Sequence, residues 1–463
     1  MKLQKVIVSA MLVFFVVSLN AGVRLNSLGS YFAYLIPDLE TDSELFPSIM
    51  MQYDKSMVQI STNQTNSGDL PQKVIDFSYL YPKNKLRVKF DFDAGSNVSN
   101  PNLFLNDVPS QYYGNNYRFD PLFSSYDITS ANIKTIVSYK FSKMILGGFL
   151  KFGKGWQDRI YENAEINLNY DYASNENNVD HDEVYFSAGI NLNIKNWDIT
   201  LNYNKLDIDF NDNEIAENYQ DNYMDYYCRN NSVDVIKDSK TYSLAILNEK
   251  ISDNNRLRLF AMFDYAVEDL DFDYEYSRYD SMESSGGYVR INQINETAAK
   301  DENRKVYRGT IGIAKSVVGK QFDTHFGCKL NGDWQTADRF EDSSYDQYYA
   351  YADSVNGVYD FGTESGSGEN DFEINKAGLE LQIPLGVVVH VSGKIDILGG
   401  AGLSMSYSKF DYYQQDNITD WQTIITKSFG MSYKPVENLG VDLYFNNTLS
   451  TYSNWQFALK YLW

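Results

Sequence analysis

The chain has 463 residues, with 38 Tyr, 27 Phe and 6 Trp, and its 62 acidic against 40 basic residues give a net charge of −22. That charge excludes a nucleic-acid binder, which needs a basic surface to neutralise phosphates, and a protein held on anionic lipid by a basic patch. With only 9 Pro and 29 Gly it is neither collagen-like nor a proline-rich disordered chain.

Residues 1–21 read as a secretory signal. Lys2 and Lys5 form the positive end, residues 6–19 the apolar core, and Ala21 the small residue at the cut. No Cys follows at the cut, so lipoprotein processing is not expected, and an exported chain starts near Gly22. Beyond residue 21 no run of 18 apolar residues occurs, which rules out a helical membrane span.

Residues 22–55 are not strand-like and form an N-terminal periplasmic or plug segment. Thr41 and Glu44 have capping-box spacing, which predicts a short helix starting at Thr41.

From Met57 onward the pattern becomes period two, turn, period two. A first strand covers residues 57–62. Ile75, Phe77, Tyr79 and Tyr81 then alternate with mostly polar neighbours, residues 82–85 turn, and Leu86, Val88, Phe90 and Phe92 return. The unit recurs around turns at Ser142-Lys143, Lys195-Asn196, residues 252–255, Gly319, the region 383–395 and residues 434–438. Between hairpins lie longer polar stretches, roughly 94–130, 154–182, 211–240, 268–305, 334–371 and 408–420, read as long acidic, tyrosine-rich external loops. At the C-terminus Trp455, Phe457, Leu459, Tyr461 and Trp463 are apolar at every second position, with Leu462 breaking the polarity of the other face.

This describes an all-β fold, a transmembrane antiparallel β-barrel of about 16 strands over residues 56–463 with long extracellular loops. Fourteen and eighteen strands stay open, because the first hairpin and the 383–395 turn are poorly defined. An even number returns both ends of the chain to one side, and short turns opposite long loops match the asymmetry of such barrels. A soluble sandwich with an aromatic terminal strand would carry an aggregation-prone edge, which a closed barrel abolishes.

The C-terminal pattern resembles the last strand of bacterial outer-membrane proteins, and the resemblance implies reading by the barrel-assembly machinery and an outer-membrane location in a Gram-negative cell. The stretch from Leu28-Gly29 through Asp38 and Asp42 to Phe46-Pro47-Ser48 is similar, over about 35 residues, to the start of fatty-acid-transporter (FadL-like) barrels. Here the Asn-Pro-Ala element and the glycine-rich run of that family are missing. The resemblance implies 14 strands, an N-terminal plug and uptake of hydrophobic molecules.

The polar phase of the strands holds the candidate pore-lining residues: Arg87, Lys89, Asp91, Arg258, Arg308, His325, Lys329, Glu380 and Asp442, with Asp93 and Asp264 beside them. Charged walls imply water inside, since unpaired charge in a dry core is costly. Catalysis finds no support. His181 between Asp180 and Asp182 reads as part of an exposed acidic loop, and His390-Val391-Ser392 has the His-x-Ser spacing of the outer-membrane phospholipase but falls beside a short turn. The 207–212 acidic run lacks the glycine of an EF-hand loop. No metal or cofactor is expected, and Cys228 in a polar loop and Cys328 on a lipid face are not expected to pair. The leading expectation is porin-like passive passage of small solutes. The alternatives are FadL-like transport of hydrophobic compounds, or a surface barrel with ligand-binding loops and a closed lumen. The expected partners are membrane lipid, the assembly machinery and small solutes; oligomeric state is left open.

Overall fold

The computed structural model describes residues 32–36, 38–67, 70–99, 126–164, 172–220, 225–252, 254–284, 288–353, 356–411, 418–446 and 455–463. The predicted signal segment lies outside these residues.

Sixteen strands follow a short helical entry. The entry comprises α1 (Leu39–Leu45) and a 3-10 turn (Pro47–Gln52). The first strands are β1 (Met57–Ser67), β2 (Leu70–Lys83), β3 (Leu86–Ser99) and β4 (Tyr126–Phe141). Strand length then grows through β5 (Met144–Ala164), β6 (Tyr172–Ile194), β7 (Trp197–Gln220) and β8 (Asp225–Ser252). It peaks in β9 (Asn255–Ser284), β10 (Tyr288–Val317), β11 (Phe322–Asp353) and β12 (Val358–Ser392). It falls again in β13 (Ile395–Asp411), β14 (Ile418–Val436), β15 (Leu439–Asn446) and β16 (Trp455–Leu462). Each strand pairs antiparallel with its chain neighbours, and β16 closes on β1 from Leu462 opposite Met57 to Trp455 opposite Gln64. The expected 16-stranded barrel is present.

Closure follows from the pattern. Every backbone amide in the ladder finds a partner only if the last strand meets the first, and a lipid-exposed edge would be untenable. Ser56 and Trp463 add a reciprocal pair of main-chain hydrogen bonds at 3.1 Å beside that seam. The two-residue turns include Asn84, Ser142 and Lys195, all at positive φ, as tight hairpins require.

The outward phase is the greasy one. Ile133, Leu150, Ile190, Leu201, Phe263, Ile311 and Leu385 are exposed, while their chain neighbours point inward. Above this belt the rings of Tyr203, Tyr242, Tyr265, Tyr307 and Trp334 occupy register-matched positions on β7 to β11, with centroids 5.1–6.5 Å apart. Amphipathic rings in a row mark a membrane–water interface. Tyr307 stands 10 residues before the end of β10 at Val317. Ten residues at about 3.4 Å each, tilted as barrel strands are, span roughly 26 Å, the height of a barrel's apolar band.

One expectation needs correcting. In the polar stretches 211–240 and 268–305 the described residues are strand and not loop, as are most of those in 334–371, because the ladder continues beyond the ring row. From Tyr307 back to Tyr288, β10 runs 19 residues further, roughly 50 Å of wall above the apolar belt. Water tolerates polar side chains on both faces of a sheet, so the loss of alternation that reads as loop in the sequence does not end a strand already templated by its neighbours. His181 and Cys228 accordingly sit in β6 and β8. His181 is buried beside the ring of Phe210, not exposed in a loop, and Glu183 lies 3.7 Å from it.

Candidate functional site

The inward phase is polar in most places but apolar near the short turns, and that exception locates the entry segment. Ala245, Leu247, Phe260, Ala314, Val388 and Leu398 are buried in one cluster with Phe32, Leu35, Ile36, Leu45, Phe46 and Ile49. Leu80, Ile136 and Phe149 bury against Met50 and Met57, and Leu462, out of phase in the sequence, packs there too. A segment that touches the walls of β2, β4, β5 and β8 to β13 can only lie inside the cylinder. Two glycines permit the close approach. A Cβ on Gly147 would stand 2.6 Å from Pro47 Cβ, and one on Gly312 would stand 2.7 Å from Leu35 Cδ2.

α1 begins earlier than its capping-box spacing suggests. Asp38 is the cap, accepting from Thr41 N at 3.0 Å and Thr41 Oγ1 at 2.9 Å, which makes Thr41 an interior residue. Wall side chains take carbonyls at the C-terminal end of α1 and at the start of the 3-10 turn. Thr200 Oγ1 donates to Leu45 O at 2.7 Å, Lys134 Nζ to Glu44 O at 3.2 Å, and Ser138 Oγ to Pro47 O at 2.6 Å. Ser48 bonds Asn191 Oδ1 through its amide, at 3.0 Å, and Asp198 through its hydroxyl.

Charge holds the segment as well. Asp42, fully buried, accepts from Arg258 Nη1 at 2.8 Å, and Arg258 Nε donates to Glu249 at 3.0 Å. Burial pushes the Asp42 carboxyl up to about 6, against the pull of Arg258 and the Asp38 amide. Arg87 donates to Tyr53 O at 2.6 Å and to Asp54 at 2.9 Å, and Lys89 joins Asp91 at 3.0 Å and Ser43 at 3.3 Å.

The expected pore-lining residues therefore divide. Arg87, Lys89 and Arg258 bind the entry segment; His325 meets the ring of Phe32 and bonds Ser316 Oγ at 2.9 Å. Asp91 faces Lys89 and accepts from Ser78 at 2.5 Å. Glu380 accepts from Asn331 at 3.0 Å and from Ser404 at 2.5 Å, with Lys329 nearby, and Asp442 stands 3.7 Å from Lys460. Arg308 borders a cavity. Sequence reasoning missed the apolar wall residues that seat the segment; their signal was the out-of-phase Leu80, Ile136, Phe149, Leu247 and Phe260.

That cavity, of about 450 Å³, opens between the entry segment and the wall of β4 to β10. Tyr34, Glu44 and Leu45 form its floor. Lys134 and Lys151, opposite each other on β4 and β5, line one side; Asp264 and Arg308, opposite each other on β9 and β10, line the other. Between them β6, β7 and β8 present Ser187, Asn202, Asn204, Thr241 and Ser243. Ser187 Oγ donates to Asn202 Oδ1 at 3.2 Å, and Asn204 Oδ1 accepts from Asn202 at 3.2 Å and from Tyr185 at 3.1 Å.

The His-x-Ser tripeptide makes no dyad. His390 bonds Asp396 at 2.7 Å and lies 3.3 Å from Asp323, whereas Ser392 accepts from the Lys394 amide at 3.2 Å.

The chain matches no protein-family model and no curated protein. Among solved structures it is similar to the toluene transporter TodX of Pseudomonas putida, at 10% identity and TM-score 0.35, covering 96% of this chain and 97% of that one. It is also similar to the siderophore receptor PirA of Pseudomonas aeruginosa, at 9% and 0.27 over 88% and 80% of the two chains. The alcaligin receptor FauA of Bordetella pertussis gives 8% and 0.29 over 89% and 76%. At these scores the architecture rests on the strand ladder alone.

Proposed function

We propose that this chain is an exported bacterial outer-membrane barrel that passes small polar solutes through its lumen without catalysis, and that residues 32–52 act as its plug. In this reading the short turns face the periplasm and the tall wall faces outward, and the C-terminal strand serves as the assembly signal. The observation that carries the proposal is the lining of the cavity above the seated segment, which is mostly charged and hydroxyl- or amide-bearing. Hydrophobic cargo is disfavoured by the same lining, because each polar group would be stripped of water without a replacement partner. The inward apolar residues near the short turns are already engaged in seating the segment.

Planar-bilayer recording tests this. Full-length protein should show small, discrete conductance, and a variant lacking residues 24–50 should show a several-fold larger one while keeping the heat-modifiable mobility of a folded barrel. Absence of conductance from both folded proteins would reject solute passage.

A further inference from the structure

Resting on the reading of the lumen as a solute path, we infer that the cavity above the entry segment is a binding site for a small neutral polyhydroxylated solute of the hexose type. Its walls carry three cations (Lys134, Lys151 and Arg308) and three carboxylates (Glu44, Asp264 and Glu268). Glu268 is matched by Lys237 at 3.5 Å, and Lys134 is turned to a main-chain carbonyl of the segment. A solute of either net charge would therefore meet repulsion from one wall wherever it found attraction at the other.

A neutral hydroxyl both donates and accepts through a single oxygen, so it suits every surface this cavity offers. Asp264 borders the cavity opposite Arg308 on the next strand and supplies a carboxylate acceptor to its wall. Lys151 makes no ion pair among the described residues; its ammonium lies 5.0 Å from the ring centre of Tyr185, leaving N–H donors for an acceptor. Asn204 has its oxygen doubly engaged while its Nδ2 donates to nothing among the described residues, and Thr241 sits directly opposite it on the next strand. Adjacent donors and acceptors at strand spacing suit adjacent hydroxyls on a ring. The volume lies at the small end of the roughly 300–1,000 Å³ of ligand pockets, room for one or two sugar rings.

Saturation-transfer NMR on the detergent-purified full-length protein, with glucose, gluconate and glucosamine as probes, separates neutral, anionic and cationic solutes of one size. Glucose should bind at least tenfold more tightly than either charged analogue. Asn204→Leu should weaken glucose at least tenfold, and Asn204→Gln should restore part of the loss. Thr241→Val serves as the second variant should Asn204→Leu not assemble. Equal or tighter binding of a charged analogue would overturn the assignment, as would undiminished glucose binding by a folded Asn204→Leu barrel. A barrel that conducts but gives no glucose signal rejects the sugar site and keeps solute passage. One that binds glucose yet never conducts keeps the site and rejects passage.

Discussion

At the scale of single residues, the seat of the entry segment depends on a buried ion pair whose acid is close to neutral. Burial dominates at Asp42, so its seated pKa of about 6 lies above the ordinary carboxylate value. A raised pKa means the seated state binds the proton more tightly than the released state. The stabilisation is fully present below about pH 4 and is lost as pH rises through about 6. A shift of this size corresponds to roughly 3 kcal/mol at most. Conductance should therefore rise between pH 5 and pH 7, and Asp42→Asn should flatten that dependence in bilayer recordings. Arg258→Met leaves Asp42 without its guanidinium partner, and removing one member of such a pair typically costs about 3–5 kcal/mol. Its conductance should exceed that of the parent most clearly at pH 8, where seating Asp42 without Arg258 requires either an unpaired buried charge or uptake of a proton from alkaline solution.

At the scale of elements, the same strand serves three environments along its length. β10 begins as tall wall, crosses the ring row at Tyr307, and ends in apolar belt outside and segment seat inside, where Ala314 is buried. In the tall wall the inward phase again turns apolar, with Phe210, Val233, Val235, Phe272 and Tyr274 buried together. Nearby, Glu302 binds Arg339 at 2.6 Å and Arg304 at 2.5 Å. The seat is sensitive to backbone approach. Gly312→Val would drive a side chain into Leu35, since even a Cβ there stands 2.7 Å from it. This variant should keep a folded barrel but release the segment, seen as protease cleavage within residues 32–52 of the purified protein where the parent is resistant.

At the scale of the whole molecule, the placement of the two free cysteines tests the membrane position. Cys228 lies in the tall wall, 14 residues beyond Tyr242 on β8, and Cys328 is exposed within the apolar belt of β11. An impermeant maleimide on intact cells should label Cys228 and spare Cys328. Labelling of Cys228 only after the outer membrane is breached would invert the orientation.

The barrel was legible in the chain because a two-residue period is a local property, and lipid outside against water inside imprints it on every strand crossing the belt. Strand number, the turns at Asn84, Ser142 and Lys195, and the closing role of residues 455–463 could all be read that way. The tall wall could not, since polar residues on both faces carry no period, and strand there is imposed by pairing with neighbours far away in sequence. Nor could the split among the lumen charges. Whether Arg258 meets water or Asp42, and whether Asn204 turns to a cavity, depends on where a segment more than 150 residues away comes to rest, and only the closed cylinder decides that.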